Sequence, residues 1–168
     1  MKTLYTEKEI QNRIQELANE ISRDYKGKDL LLLGVLKGCY IFLSDLSRSL
    51  KIPVTIDFIQ AKSYAGKEST GTVQLLKEPS DELIRNKHVL LVEDIIDTGI
   101  TMNYIIDYIL KLKPASLEIA TLLNKNRKAN VAYNIKYSGF AIEDVFVIGY
   151  GMDHNEEYRN CREILVME

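Results

Sequence analysis

The sequence predicts an α/β protein whose central sheet is mainly parallel and flanked by helices. Twice, a continuous apolar run is followed by a polar loop and then by apolar residues at helical spacing, first from Leu30 and again from Val89. Continuous apolar strands are typical of parallel sheets that helices cover on both faces. Because the loops after parallel strands gather at the carboxyl edge of the sheet, ligands are expected there.

The first elements follow from capping signals and spacing. Thr6 and Glu9 have the separation of a capping box, so the first helix is predicted to begin there and to end near Gly27. Residues 30–35 form the first predicted parallel strand, and apolar residues at helical spacing across 39–50 predict the second helix. The two apolar helix faces consist of Ile10, Ile14, Leu17, Ala18 and Ile21, and of Cys39, Phe42, Leu43, Leu46 and Leu50.

Later elements alternate with polar stretches. Residues 53–58 alternate as a strand, with proline at the first position, where a missing N–H is harmless. Residues 62–72 contain no large aliphatic side chain, which predicts an exposed and mobile segment. A strand is predicted over 89–92, and a helix from Met102 ends before Pro114. The remaining predicted strands are 117–123, 145–150 and 164–167.

Composition limits the possible functions. The chain has 168 residues, enough for one sizeable core and too few for two ordinary ones, so residues 1–168 are expected to form a single domain. A net charge of −2 gives no general cationic field, so neither nucleic acid nor a membrane is expected as a partner. No apolar run approaches the roughly 20 residues that span a bilayer. The N-terminus is unlike a signal peptide, and reduced cysteines and a cytoplasmic location are expected.

The stretch after residue 92 combines residue types that suit a sugar phosphate. Three carboxylates are followed by two hydroxyl residues around a glycine, just before a helix. The N–H groups of a helix start attract an anion, glycine allows close approach, and carboxylates accept hydrogen bonds from sugar hydroxyls. Simple helix capping is the alternative, but crowded carboxylates at the end of an apolar strand are costly without a bound partner. The residues are Glu93, Asp94, Asp97, Thr98, Gly99 and Thr101.

This stretch also resembles a known family. Residues 92–101, Val-Glu-Asp-Ile-Ile-Asp-Thr-Gly-Ile-Thr, are similar to the phosphoribosyl-pyrophosphate (PRPP) loop of type I phosphoribosyltransferases, and in particular of their hypoxanthine-guanine branch. The similarity extends in the family's order to 34–38, 62–64, Lys125 and 146–159. It implies the type I fold, with a small hood built from terminal segments, a mobile lid loop and a C-terminal region for the base. The implied lid is about 62–74, with Ser63 and Tyr64 closing in, and the base-binding and hood region is about 125–168.

The resemblance implies roles for the PRPP site. The 5′-phosphate and ribose are held by Glu93, Asp94, Thr98, Gly99, Ile100 and Thr101, although Ile100 stands where the family often has a basic residue. Asp97 is the catalytic residue that accepts a proton from the purine. Pyrophosphate is bound by Leu36, Lys37, Gly38 and Arg159, although a glycine after a strand is by itself usually just a turn. The family often has a non-proline cis peptide at Leu36–Lys37, which the sequence leaves open.

The implied base site differs from what residue types alone predict. Taken alone, Lys125 would be a solvated surface lysine and Phe146 a core residue of a strand. By resemblance, Lys125 donates to O6 of a 6-oxopurine, and the purine stacks on Phe146. The base site is completed by Val147, Met152 and Asp153, and a Mg²⁺ cofactor is assigned to Asp153, Glu93 and Asp94.

The implied function is purine salvage by Mg²⁺-dependent transfer of 5-phosphoribosyl from PRPP to hypoxanthine or guanine. The products are IMP or GMP and pyrophosphate, and a homodimer or homotetramer is expected by analogy. Three alternatives remain at this point. They are a xanthine-preferring transferase, a PRPP-sensing regulator that binds nucleic acid, and a non-catalytic nucleotide-binding module.

Overall fold

The computed structural model describes residues 1–64, 72–125 and 131–167. The helices are α1 (Glu7–Asp24), α2 (Tyr40–Ser49), α3 (Asp81–Ile84) and α4 (Ile100–Lys111). The strands are β1 (Lys2–Tyr5), β2 (Leu30–Leu36), β3 (Thr55–Tyr64), β4 (Thr72–Lys77), β5 (His88–Ile96), β6 (Ser116–Asn124), β7 (Ile135–Ala141), β8 (Val147–Ile148) and β9 (Ile164–Val166).

The main sheet is mainly parallel, as predicted. Its strand order is β4-β3-β2-β5-β6-β7, and β4 is antiparallel to β3 while the other neighbours are parallel. The chain leaves β2 toward β3 on one side and later enters β5 on the other side of β2, so the strand order reverses between β2 and β5. Loops that diverge at such a point leave a crevice where open α/β folds bind ligands.

Helices cover both faces of this sheet, which explains the continuous apolar strands. One core contains the apolar faces of α1 and α2, and the other contains the buried face of α4. The predicted capping box is confirmed, because Thr6 accepts from the Glu9 N–H while the Glu9 side chain accepts from Thr6. Cys39 and Cys161 are both free thiols. Within the described ranges, no helix has the length and apolarity that a membrane crossing requires.

A second sheet joins the two ends of the chain, as expected for a hood. Its order is β1-β9-β8, and it packs on the α1 and α2 side of the main sheet through residues that include Val147 and Ile164. The strand predicted over 145–150 was too long, because only Val147–Ile148 within it is strand. This strand, β8, ends there because Gly149, Tyr150 and Gly151 all have positive φ and turn the chain sharply. Neither β1 nor β7 was predicted.

The segment before β4 also differs from its prediction. The strand predicted over 53–58 begins at Thr55 and continues to Tyr64, because its end pairs with β4. Both ends of the predicted lid, 62–64 and 72–74, therefore belong to an antiparallel pair of strands rather than to a structureless loop. The rest of that lid, 65–71, lies outside the described residues.

Candidate active site

Two adjoining pockets lie at the carboxyl edge of β5. The first, called here the base pocket, is lined by Asp94, Ile95, Asp97, Lys125, Phe146, Val147, Met152 and Asp153. The second, called here the phosphate pocket, is lined by Glu93, Ile95, Ile96, Thr98, Gly99, Thr101 and Met102. Ile95 lines both pockets, so a ligand that spans them would pass over the end of β5. The two pockets separate the residues that resemblance assigns to the purine from those that it assigns to the phosphate.

The two neighbouring carboxylates Glu93 and Asp94 lie within β5, not in the loop after it. The prediction that the strand ends at residue 92 was wrong because parallel pairing to β6 continues through Glu93 and Ile95 to Ile96. Neighbouring strand residues point to opposite sides. Accordingly, Asp94 lines the base pocket while Glu93 lines the phosphate pocket.

Asp94 is packed directly against Gly38, in the turn between β2 and α2. A β-carbon on residue 38 would overlap the Asp94 carboxylate, and a β-carbon on Gly151 would overlap the carbonyl oxygen of Gly38. Three segments therefore meet at Gly38, from β2, β5 and the turn after β8. The close packing requires glycine at position 38 and brings the predicted pyrophosphate loop against the base pocket.

Glu93 is a carboxylic acid with a raised pKa at this edge of the sheet. Burial raises the pKa of its carboxyl well above the ordinary value of 4.5, and the negative charge of Asp94 raises it further. Its Oε1 accepts a hydrogen bond from the Asp94 N–H at 3.2 Å. Hydroxyl donors or a cation would relieve this unfavourable ionisation, so Glu93 is suited to contact a sugar or a metal ion.

The phosphate pocket is formed by the start of α4. Gly99 precedes the helix with φ 85°, and no side chain caps the helix end, so the simple capping interpretation was wrong. The first helical hydrogen bond is donated by Asn103 to the Gly99 carbonyl, which leaves the earlier N–H groups directed out of the helix end. The side chains of Thr98 and Thr101 line the pocket. Ile100 is 61% exposed and its side chain is outside the lining set.

Lys125 lies at the end of β6 and is 8% exposed, so its interpretation as a solvated lysine was wrong. Its Nζ donates to Asp97 Oδ2 at 3.3 Å and lies 3.6 Å from Asp144 Oδ1. Both carboxylates are about half exposed, at 48% for Asp97 and 51% for Asp144. The two acids hold the ammonium group at the mouth of the base pocket, where it can donate to an oxygen of a bound ring.

The other side of the base pocket comes from Phe146, from β8 directly after it and from the turn that follows β8. Phe146 is 52% exposed, which contradicts its interpretation as a core residue. Its ring and the His154 ring are nearly perpendicular, with their centroids 5.6 Å apart. Val147 and Met152 are buried lining residues. Tyr150 anchors the turn, because its hydroxyl donates to Asp45 on α2. An exposed aromatic face beside a buried cation suits a planar ring with a polar edge.

The predicted pyrophosphate residues Lys37 and Arg159 come together around two acidic residues, Asp153 and Glu156. Arg159 donates to the Gly151 carbonyl at 2.8 Å and pairs with Asp153 at 2.8 Å. Lys37 Nζ lies 2.9 Å from Glu156 Oε2, and the same oxygen is 3.3 Å from Arg159. The peptide bond between Leu36 and Lys37 is cis. The buried Nε of Arg159 has no hydrogen-bond partner among the described residues.

Sequence reasoning missed two members of the site. Asp144 is 19 residues from Lys125 along the chain, and Glu156 is far from Lys37, so no local motif relates them. In the sequence, the one feature that pointed to them was an acidic side chain close to the family-like segment 146–159, which contains Glu156 and lies just after Asp144. Ser63 and Tyr64 are the last residues of β3, where they pair with Val73 and Thr72. This pairing does not test the expected closure of the lid, which stays a prediction.

The chain is similar in sequence and in structure to known phosphoribosyltransferases. Residues 1–155 match the family model described as phosphoribosyl transferase domain. A hypoxanthine-guanine phosphoribosyltransferase of Staphylococcus aureus is 44% identical over 94% of this chain and 88% of that protein. One from Aquifex aeolicus is 41% identical over 100% of this chain and 95% of that protein. A Bacillus anthracis hypoxanthine-guanine phosphoribosyltransferase, crystallised with HEPES in its active site, is 42% identical with a TM-score of 0.94, over 100% of this chain and 99% of that one.

Proposed function

Because the chain belongs to the phosphoribosyltransferase family and is an enzyme of its hypoxanthine-guanine branch, we propose that it transfers 5-phosphoribosyl from PRPP to hypoxanthine or guanine. The products of this reaction are IMP or GMP and pyrophosphate. The enzyme acts in purine salvage, and the predicted type I fold is confirmed by its structural relatives. The observation that carries the proposal is the junction of the two pockets at Ile95, with donors for a phosphate on one side and a site for a planar ring on the other.

The phosphate pocket holds the ribose phosphate. The N–H groups at the start of α4 and the hydroxyls of Thr98 and Thr101 bind the 5′-phosphate, with the helix dipole favouring its charge. Glu93 and Asp94 accept hydrogen bonds from the ribose hydroxyls. A sugar held there has its C1 directed past Ile95 into the base pocket. This placement brings the reacting carbon next to the purine. The reaction between two bound substrates then becomes effectively unimolecular, which lowers the barrier.

The base pocket selects and activates the purine. Lys125 donates to O6 of hypoxanthine or guanine, and the amino group of adenine would face that ammonium with hydrogens of its own. Phe146 stacks on the ring, Met152 lies against it, and the backbone of Val147 meets its edge. Asp97 accepts the proton that the purine loses as its nitrogen attacks C1. Its contact with Lys125 fixes the carboxylate at the edge of the base pocket.

The leaving pyrophosphate lies between the start of α2 and the turn after β8. The backbone at Leu36, Lys37 and Gly38 faces it from one side, and Arg159 faces it from the other. Positive charge there stabilises the negative charge that grows as the bond to C1 breaks. Closure of the lid over 62–74, with Ser63 and Tyr64 entering the site, would exclude water from the cationic ribose.

Magnesium is the proposed cofactor and would be bound together with PRPP. The described residues contain no group of three or more side chains that could hold a metal ion by themselves. Mg²⁺ usually binds through one or two carboxylates together with substrate phosphates and water. Asp94 and Asp153 both line the base pocket, and Glu93 adjoins it, so these donors fit an ion that arrives with the substrate. When bound, Mg²⁺ supplies neutralising charge at the pyrophosphate.

An assay with four purines tests the proposal. Initial rates are measured with PRPP, Mg²⁺ and each of hypoxanthine, guanine, xanthine and adenine, for the wild type and for Lys125→Met. Turnover of hypoxanthine and guanine but not adenine is expected, with a large rise in the KM for the base in the variant. Fastest turnover of xanthine would instead establish the xanthine-preferring alternative. No turnover with any purine would refute the proposal, and gel-shift titration would then test for a nucleic-acid-binding regulator.

Three further expectations stay proposals: the oligomeric state, the cellular location and the number of domains. A homodimer or homotetramer in the cytoplasm is proposed from the family resemblance, with residues 1–168 folding as one domain. Sedimentation equilibrium of the purified protein measures its mass in solution. A monomer at micromolar concentration that turns over both bases would refute the oligomer without affecting the proposed activity.

A further inference from the structure

Glu156 occupies the position between two cations that come from distant parts of the chain. Its Oε2 lies 2.9 Å from Lys37 Nζ and 3.3 Å from an Arg159 nitrogen. Lys37 and Glu156 are separated by 119 positions, so this contact exists only in the folded site. One anionic oxygen shared by a lysine and an arginine is the arrangement that a phosphate oxygen would adopt at the same place.

We propose that Glu156 is an internal competitor for the pyrophosphate subsite, held between Lys37 and Arg159 until the pyrophosphate group displaces it. The inference rests on the proposed function for the identity of the ligand. It adds a residue that no part of the implied site contains. A carboxylate that remained between the two cations would repel an incoming pyrophosphate, so it must move when the ligand binds.

The contacts around Glu156 make this displacement easy. Its side chain is 66% exposed and that of Lys37 is 55% exposed, and ion pairs between exposed groups are weak. The Glu156 carboxylate lies within ion-pair distance of both Lys37 and Arg159, at the place where a phosphate oxygen would make the same two contacts. Glu156 itself has φ 66° in a turn at the surface, where its side chain can turn outward into solvent.

The two cations respond differently when Glu156 leaves. Arg159 keeps its hydrogen bond to the Gly151 carbonyl and its ion pair with Asp153, so its position does not depend on Glu156. Lys37 makes no other ion pair with a described residue and is therefore released to the ligand. The competition is thus mainly for Lys37, and Glu156 weakens the binding of pyrophosphate and favours its release.

The adjacent Glu157 provides a matched control. It is exposed, and its side chain makes no ion pair or hydrogen bond with any residue that the structure describes. Glu157→Gln changes the net charge by the same amount as Glu156→Gln, one position away. If only net charge matters, both variants must bind pyrophosphate more tightly by the same factor. If Glu156 is a competitor, the gain must appear in Glu156→Gln alone.

The test is calorimetric titration of wild type, Glu156→Gln and Glu157→Gln with magnesium pyrophosphate at low salt. Glu156→Gln is expected to bind about two- to fivefold more tightly than the other two proteins, the range that an exposed ion pair represents. The gain should fade as salt rises, and it should vanish when Lys37→Met is added. Circular dichroism checks folding, and Glu156→Asp, which keeps the charge but is one methylene shorter, is expected to show a smaller gain in the same direction.

Three results would overturn the inference. Weaker binding by Glu156→Gln would mean that Glu156 positions Lys37 for the ligand, and equal binding by the two glutamine variants would mean that only net charge matters. Absence of pyrophosphate binding by the folded wild type would remove the subsite. Turnover of hypoxanthine by the wild type is measured in parallel, so failure of the competitor is distinguished from failure of the proposed reaction.

Discussion

The ammonium group of Lys125 lies 3.3 Å from the carboxylate of Asp97, although the two residues are 28 positions apart. Lys125 stands at the end of β6, and Asp97 follows the end of the neighbouring strand β5. In the proposed reaction, one residue recognises the purine and the other accepts its proton. Their contact links the two tasks, because a base that binds to Lys125 is presented to Asp97 at the same time.

Replacement of Asp97 by Asn tests the proton acceptor. The amide keeps the shape but cannot accept the proton, so turnover is expected to fall by about 10²- to 10⁴-fold. The KM for PRPP should be largely unchanged, because Asp97 is outside the phosphate pocket. Steady-state kinetics with varied PRPP and varied hypoxanthine measure both quantities.

Asp144→Asn is the matched control for that substitution. It also removes a carboxylate beside Lys125, at 3.6 Å, but Asp144 has no proposed role in proton transfer. A smaller loss of turnover is expected than for Asp97→Asn. Equal losses in the two variants would assign the effect to the charge around Lys125, and wild-type turnover in Asp97→Asn would remove the role altogether.

Phe146→Ala tests whether the aromatic ring serves the ligand or the core. The side chain is 52% exposed, so the free energy of unfolding should change by less than about 1 kcal/mol. Loss of base stacking is worth about 1–3 kcal/mol, which corresponds to a rise of roughly 5- to 150-fold in the KM for hypoxanthine. Urea unfolding and kinetics give the two values. Tyr104→Ala, which removes another partly exposed aromatic ring outside both pockets, should leave the KM for hypoxanthine unchanged.

Gly38→Ala tests the close packing against Asp94. The added β-carbon overlaps the Asp94 carboxylate, and forced overpacking typically costs about 1–3 kcal/mol. The KM for PRPP should also rise, because the loop after β2 faces the proposed pyrophosphate subsite. Adding Asp94→Ala removes the overlapping atoms, so the double variant should be more stable than the sum of the two single effects predicts. Additive effects in urea unfolding would show that the overlap is relieved in some other way.

The raised pKa of Glu93 predicts a pH dependence of stability. The folded state holds this proton more tightly than the unfolded chain, in which the pKa is near 4.5, so ionisation of Glu93 destabilises the fold as pH rises from there through the raised value. Glu93→Gln removes that penalty and keeps an oxygen to accept from the Asp94 N–H. The variant should therefore be more stable than the wild type at neutral pH.

The difference between the two proteins is the quantity to follow, since titrating groups that do not interact with Glu93 contribute equally to both. The free energy of unfolding is measured in urea at several values between about pH 5 and pH 8. The advantage of Glu93→Gln should shrink as pH falls toward 4.5. A constant difference across this range, or a wild type that is the more stable protein at neutral pH, would contradict the destabilising ionisation.

The sequence by itself determined the order of most elements and predicted a sugar-phosphate site for the stretch 93–101, because both inferences depend on residues close together in the chain. Apolar periodicity predicted α1, α2 and α4, and the Thr6–Glu9 capping box was confirmed. The family resemblance was confirmed as well, since it rests on a long local motif. The same local signals could not show that β5 continues past residue 92, because its last residues are strand only through pairing with β6.

Tertiary structure alone decided which side chains meet and which are exposed. Asp144 reaches Lys125, Glu156 reaches Lys37, and Asp94 fills the space beside Gly38 because strands and turns from distant segments converge at one edge of the sheet. For the same reason, the aromatic Phe146 is exposed and the charged Lys125 is buried, the reverse of what their residue types suggest. Exposing an apolar ring and burying an ammonium group both cost free energy of folding unless neighbouring groups compensate. Both residues line the base pocket, so this cost is concentrated at the candidate site.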